Sequence, residues 1–263
     1  ITSNNTDSII EYIDPQEADT SMFALTQKDL DENKPDNEYY YHFTHCELHP
    51  SMMLGVLACT IPFANHNQAP RNLYQGAMGK QAIGTYTTNF RKRMDTDGLI
   101  LHYPQRSLVN TRQSKYINGN ILSSGTNAIV AIASYTGYNQ EDSLIVNQSA
   151  IERDLFATSK FKTYKDEEKK NQSTLAEERF CKPEKLHQNG ELKTEKMKFG
   201  SYENLDDNGI VKVGTFVSDN DIIIGKTIPL KNSEGPKFKD ASKTIKSGTE
   251  GTVDKVVFNK TVD

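Results

Sequence analysis

The chain has 263 residues, 35% of them hydrophobic and 25% charged, with a formal net charge of −4. That length suits one large domain or two ordinary ones, and the apolar share allows a core. No run of about 20 apolar residues exists to cross a bilayer, and the first residues lack the basic-then-apolar pattern of a signal peptide. Three scattered cysteines (Cys46, Cys59, Cys181) are too few for a disulfide framework, so a reducing, non-secreted setting is expected. The chain begins at Ile1 rather than Met and stops just after a strand-like run, so it reads as an internal fragment.

The charge is unevenly placed. Residues 1–40 hold ten acids and two lysines, whereas residues 55–140 hold eight Lys/Arg against Asp95 and Asp97 alone. A basic centre in an acidic chain suits a polyanion, although a solvated helix face has the same composition.

In chain order, a short apolar run at Ile9–Ile13 precedes acids, and residues 27–40, with Pro35, read as an exposed linker. Ser51 is placed to cap a short helix through Cys59, ending before Pro62. Pro70 suits the first turn of a second helix, and apolar residues at Leu73, Ala77, Met78, Ile83, Tyr86 and Phe90 roughly keep helical spacing. Gly76, Gly79 and Gly84 weaken it. Residues 99–103, 127–135, 143–146 and 156–164 read as strands. The run from Ala128 to Tyr135 is continuously apolar, as in a strand buried on both faces. Ser149 and Glu152 fit a capping box for a short helix. Residues 165–195 are charged surface, and short β runs follow at 210–213, 221–224 and 251–258. The expected class is α+β and β-rich.

Three constellations bear on chemistry. His42, His45, Cys46 and His49 are zinc-ligand types, but they form one tight cluster with no second ligand pair, so a hydrogen-bonded turn is preferred. Asn67-Gln-Ala-Pro-Arg71-Asn72 opens a helix, where free N–H groups and a guanidinium suit a phosphate. Lys80 and Gln81 follow, with Lys80 expected two and a half turns along the same face. Third, Glu141 and Asp142 follow the apolar run on a turn at Gly137-Tyr-Asn-Gln. Two carboxylates without a third acid make at most an auxiliary magnesium site. An ordinary capped helix and turn-forming surface acids account for the same spacings. Phosphate-loop, nucleophile-elbow and His-Glu-x-x-His patterns are absent from the sequence.

These segments fall into a collinear series. Thr44-His-Cys-Glu-Leu-His-Pro-Ser-Met, Asn67-Gln-Ala-Pro-Arg-Asn, Tyr74-Gln-Gly-Ala-Met-Gly-Lys-Gln-Ala, Met94-Asp-Thr, Tyr103-Pro-Gln, Asn127-Ala-Ile-Val-Ala-Ile and Gly137-Tyr-Asn-Gln-Glu-Asp-Ser occur in this order. Together they resemble the second-largest subunit of eukaryotic-type DNA-directed RNA polymerases, homologous to the bacterial beta subunit and closest to the RNA polymerase II type. Glu11-Tyr-Ile-Asp, Gly225-Lys-Thr-Ile-Pro and Glu250-Gly-Thr-Val-Asp extend the likeness over nearly the whole chain. Phe63-Ala-Asn65 and the Lys/Asn-rich insert near 165–195 depart from it and suggest a divergent source, a protist or a large DNA virus.

The resemblance implies a domain order. Residues 1–54 would end the external region, 55–158 would form the first half of the hybrid-binding domain with part of a double-psi β-barrel, and 159–263 would form an incomplete wall (flap) domain. It also implies roles. Arg71 would contact the triphosphate of the incoming NTP, and Lys80 and Gln81 would lie near the RNA 3′ end. Asp142, with Glu141 beside it, would sit by the second, nucleotide-borne Mg2+, while the principal Mg2+ would be held on the largest subunit. Partners would be that subunit, the other polymerase subunits, template DNA, nascent RNA and NTPs, in the nucleus or a viral transcription compartment, with no membrane. The family's Gly-Asp-Lys-Phe-Ala and Gly-Gln-Lys-Gly motifs are not in these residues, so the fragment is expected to be inactive alone and its barrel unable to close. Two other classes fit parts of the pattern: a stand-alone nucleic-acid-binding module using the basic 71–115 segment, and a metal-dependent nuclease or phosphotransferase built on Glu141 and Asp142.

Overall fold

The computed structural model describes residues 10–31, 43–172, 175–187, 190–191, 193–230 and 237–259. The expected linker at 27–40 and His42 lie partly or wholly outside them. The architecture is mixed, with short helices and many short strands. Contacts divide it into two units, Ile1–Thr163 and Tyr164–Asp263.

In the first unit, α1 (Pro15–Thr20) starts where Asp14 accepts a hydrogen bond from the Glu17 N–H at 2.8 Å and Pro15 presets the first turn. A second helix, α2, spans Gln27–Asp31, and a two-residue parallel pair joins β1 (Phe23–Ala24) to β2 (His45–Cys46). The helix expected over 51–59 resolves into two 3₁₀ turns, Pro50–Met53 and Ala58–Thr60, because the chain between them is extended at Leu54. Helix α3 (Ala69–Gly79) stops well short of Phe90. The Gln81 N–H closes its last turn onto Met78, and Gly84 then packs so tightly that a Cβ there would lie 2.2 Å from the Ser123 carbonyl oxygen. Close approach to the 123–124 backbone, not helix, explains that glycine.

Strand β3 (Asp97–Leu101) pairs antiparallel with β4 (Thr158–Lys162), and Ile100 and Leu101 are buried beneath it. Phe90 packs on Phe161 at 5.6 Å between ring centres. Helix α4 (Gln148–Glu152) is capped by Asn147, whose side chain accepts from the Ala150 N–H; Ser149 donates its hydroxyl to the same Asn147 oxygen instead of capping.

The sequence misleads most at 127–135 and 143–146. Neither forms a strand. Ile129 and Ile132 are fully exposed, and Val130, Tyr135 and Leu144 are largely so. The β-branched run has the right composition, but among the described residues no strand lies alongside it to take its backbone hydrogen bonds.

The second unit is β-rich. Its main sheet runs β5 (Arg179–Phe180), β9 (Lys226–Pro229), β10 (Phe238–Asp240), β6 (Thr194–Glu195), antiparallel except for the β10–β6 edge. Two further pairs, β7 (Phe216–Val217) with β12 (Gly251–Thr252) and β8 (Ile222–Ile224) with β11 (Lys243–Thr244), flank a core of Val211, Val217, Ile223 and Ile245. Tyr164, Ile224 and Val253 pack on its edge. The charged stretch after Tyr164 is not loose surface throughout. Lys226, only 9% exposed along its side chain, holds Asp166 and Glu178 at 2.8 Å each.

Candidate functional site

The His/Cys segment resolves into separate hydrogen-bonded partners. His45 Nδ1 meets the Thr44 hydroxyl at 2.7 Å and its Nε2 meets Glu11, while His49 Nδ1 accepts the Ser51 N–H. The Cys46 thiol donates to a backbone carbonyl. Among the described residues no group of three or more His, Cys, Asp or Glu is placed to hold a metal ion.

Helix α3 positions Arg71. Asn72 donates from Nδ2 to the Ala64 carbonyl at 2.8 Å, and Asn67 donates to Asn72, so the first helical turn is tied to the 3₁₀ turn before it (Ala64–His66). Arg71 is exposed, with its guanidinium 5.8 Å from the centre of the Tyr74 ring. That contact lays the side chain back along the helix and contributes about 0.5–1 kcal/mol at such a site. Lys80 caps the helix and Gln81 follows, both exposed. Lys80 is not on the face of Arg71. Nine residues at about 100° each end half a turn out of phase, about 14 Å further along the axis. A ligand reaching Lys80 from Arg71 must therefore wrap the end of the helix.

The turn read at Gly137-Tyr-Asn-Gln forms, and its Asn braces it. Asn139 accepts the Tyr135 N–H and donates to the Ala133 carbonyl, at 3.1 and 2.6 Å. Thr136, Gly137 and Glu141 take positive φ, and the Ser143 N–H closes onto Gln140. Asn139, not one of the acids, anchors the loop; an Asn after a Gly-Tyr turn was the available signal. Glu141 and Asp142 both stay exposed. Two of the sequence motifs also meet. Asn127 donates to the Gln105 side chain and the Arg106 carbonyl, and accepts the Leu108 N–H. This clasp fixes where the 128–135 run departs. Among the described residues no hydrogen bond or ion pair joins α3 to the acidic turn. Arg71 and Asp142 are thus displayed on separate elements.

An exposed carboxylate pair matches the donor set of a magnesium ion that takes one or two protein carboxylates and completes its shell with water and phosphate. It does not amount to a closed metal cage.

The family described as RNA polymerase Rpb2, domain 6, matches residues 57–263, and that described as RNA polymerase Rpb2, domain 5, matches residues 5–50. The chain is 46% identical over 262 residues to DNA-directed RNA polymerase II subunit 2 of Arabidopsis thaliana, which covers 97% of the chain and 22% of that relative. It is 44% identical over 277 residues to subunit RPB2 of Schizosaccharomyces pombe, covering 95% and 22%. It is 36% identical over 274 residues to DNA-directed RNA polymerase subunit 2 of Acanthamoeba polyphaga mimivirus, covering 95% and 22%. The chain belongs to the Rpb2 family of RNA polymerase subunits. It spans about a fifth of the length of the curated relatives it matches. No helix among the described residues is long and apolar enough to cross a membrane.

Proposed function

We propose that this chain serves DNA-directed RNA polymerase as one wall of its active centre, with residues 55–158 as the first half of the hybrid-binding domain and 159–263 as part of the wall. Within that enzyme Arg71 binds the triphosphate of the incoming NTP. Lys80 and Gln81 sit by the RNA 3′ end, and Asp142 with Glu141 holds the second magnesium. Magnesium supplies charge neutralisation on the phosphates when bound; the chain's own part is to place a guanidinium and two carboxylates where those phosphates arrive. The partners are then the largest polymerase subunit, the other subunits, template DNA and nascent RNA, in the nucleus or a viral transcription compartment.

The observation that carries this reading is the uncovered surface. Leu73, Tyr74 and Met78 on α3, and Ile129, Val130, Ile132 and Leu144 beside the acidic turn, all stand exposed next to the candidate residues. So much apolar surface flanking charged groups marks an interface with further protein. In the proposed assembly the 127–135 run becomes a strand of the double-psi β-barrel, completed by polypeptide outside these residues, and the chain by itself does not polymerise.

The test is Arg71→Ala in the assembled enzyme. A triphosphate contact carries no base information, so the apparent KM should rise about tenfold or more for all four NTPs, as for loss of one charge-assisted pair. A defect confined to one NTP, or none, refutes the role.

A further inference from the structure

Arg71 follows Ala69 and Pro70 in the first turn of α3. Side chains three apart on a helix are neighbours, and helical side chains lean back toward the N-terminus. Tyr74 therefore carries its ring over the turn that holds Arg71, which sets the guanidinium 5.8 Å from the ring centre. Gln75, the other neighbour, reaches the opposite way: a Cβ at Gly79 would lie 4.0 Å from its Nε2.

No acid competes with that ring. The sequence has no Asp or Glu between Glu47 and Asp95, and Asp95 is engaged by Arg93 and Tyr86. Among the described residues no hydrogen bond or ion pair reaches the Arg71 guanidinium. The difference matters for binding. A carboxylate would orient the side chain but neutralise it and occupy its N–H donors. The negative face of an aromatic ring attracts the cation and takes none of its five donors. Arg71 is thus oriented with its charge and its donors still open to a phosphate. Gripping an anion costs an arginine rotamer freedom, and the ring has already restricted that freedom before the ligand arrives.

We infer that Tyr74 is a positioning residue for the NTP triphosphate, acting through Arg71 by holding the guanidinium over its ring. This rests on the reading of Arg71 as the triphosphate contact and adds to it a second residue with its own signature. Tyr74 is 60% exposed, so replacing it disturbs the fold little.

The test uses the assembled enzyme. Tyr74→Leu keeps apolar surface for the proposed interface and deletes the ring face. It should raise the apparent KM about two- to fivefold for all four NTPs and leave kcat in place, as for a contact made equally before and during reaction. Tyr74→Phe should match the parent. Mono-, di- and trifluorophenylalanine at position 74 preserve the shape of the ring while draining its negative face, so KM should climb stepwise along that series. In an Arg71→Ala background, Tyr74→Leu should add nothing. If Arg71→Ala raises KM but Tyr74→Leu does not, the positioning role is overturned and the reading of Arg71 stands. If Arg71→Ala itself leaves KM unchanged, both fall. A KM that is flat along the fluorinated series, or raised equally by Phe and Leu, also overturns the inference, because shape or the hydroxyl would then be acting in place of the ring face.

Discussion

Lys226→Met tests how the second unit holds its charged entry segment. The Lys226 Nζ donates to Asp166 and Glu178 at 2.8 Å each and to the Glu167 carbonyl at 3.3 Å. The acids are 11% and 19% exposed. Methionine keeps the aliphatic stem and deletes the cation, so two nearly dry carboxylates lose their shared partner. Breaking a buried pair in this way costs about 3–5 kcal/mol. Lys243 remains 3.8 Å from Asp166, which places the expected loss near the lower end, about 3 kcal/mol. For a unit of this size that lowers the unfolding midpoint by about 12 °C or more. The pH dependence gives a second readout. Burial alone would raise the Asp166 carboxyl, but the Lys226 and Glu167 hydrogen bonds and the charges of Lys226 and Lys243 outweigh it and hold it below its ordinary value. A lowered folded value means that the stabilisation is complete above the ordinary aspartate range, near 4, and is lost as pH falls through the lowered one. Lys226 is the mirror case. Burial would lower it, the bonds to Asp166 and Glu178 raise it, and its contribution is complete below the ordinary lysine value and lost as pH rises past the raised one. The gap between parent and variant should therefore be widest between roughly pH 6 and 10 and close toward acid, where the orphaned carboxylates protonate. Adding Asp166→Asn and Glu178→Gln to Lys226→Met should restore most of the loss. Melting curves across pH for the three proteins decide the matter: a Lys226→Met midpoint within about 2 °C of the parent at every pH refutes the reasoning.

Two further outcomes follow from the same geometry. Asp240 accepts from the Ser242 and Lys198 N–H groups and from the Tyr202 and Ser242 hydroxyls, so Asp240→Asn turns an amide into that ring of donors and should cost about 2–3 kcal/mol. The Tyr202 phenol, pushed well up by burial and then by its bond to Asp240, should fall back toward its ordinary range in the variant, read by phenolate absorbance during alkaline titration. Ile129→Ser with Ile132→Ser should leave the stability of the 263-residue chain within about 0.5 kcal/mol, because both side chains are already in water. It should block assembly with the remaining polymerase polypeptides, measured by co-purification; a large loss of stability in the chain alone would show that the run is buried after all.

Local signals carried furthest where one side chain decides the backbone. Pro70 opens α3, although the helix ends at Gly79 while the apolar spacing ran on to Phe90, and the β3–β4 pair lies within two residues of the runs read as strands. Long-range partners were not legible. Lys226 and Asp166 are 60 positions apart, and nothing in the charge-rich 165–195 stretch marks which acid a distant lysine will bury. The capping of α4 shows the same limit at short range. Ser149 and Glu152 have capping-box spacing, yet Asn147 two residues earlier takes the cap, because its side chain reaches the Ala150 N–H from an extended backbone and the Ser149 hydroxyl then serves it. At the site, the residue types were readable but their relative placement was not, as the half-turn between Arg71 and Lys80 shows.

The run 128–135 bears on both questions. Its alternation-free apolar composition describes a strand covered on both faces, and such a strand needs two flanking ladders and two packed layers. Among the described residues it has none of these, and its isoleucines stand in water at about 2 kcal/mol of forgone burial each. An isolated domain gains nothing from exposing them. The cost is explained if the composition answers to a larger body, and a chain spanning about a fifth of its relatives leaves ample polypeptide to supply the missing ladders. The Asn127–Gln105 clasp already fixes one end of the run and Asn139 the other. In the proposed assembly, partner strands would meet a segment anchored at both ends, and docking them would set the position of Glu141 and Asp142 on the turn that follows. In the proposed assembly, closing the barrel and placing the acids would be one event, so a substitution that prevents the first should also displace the second.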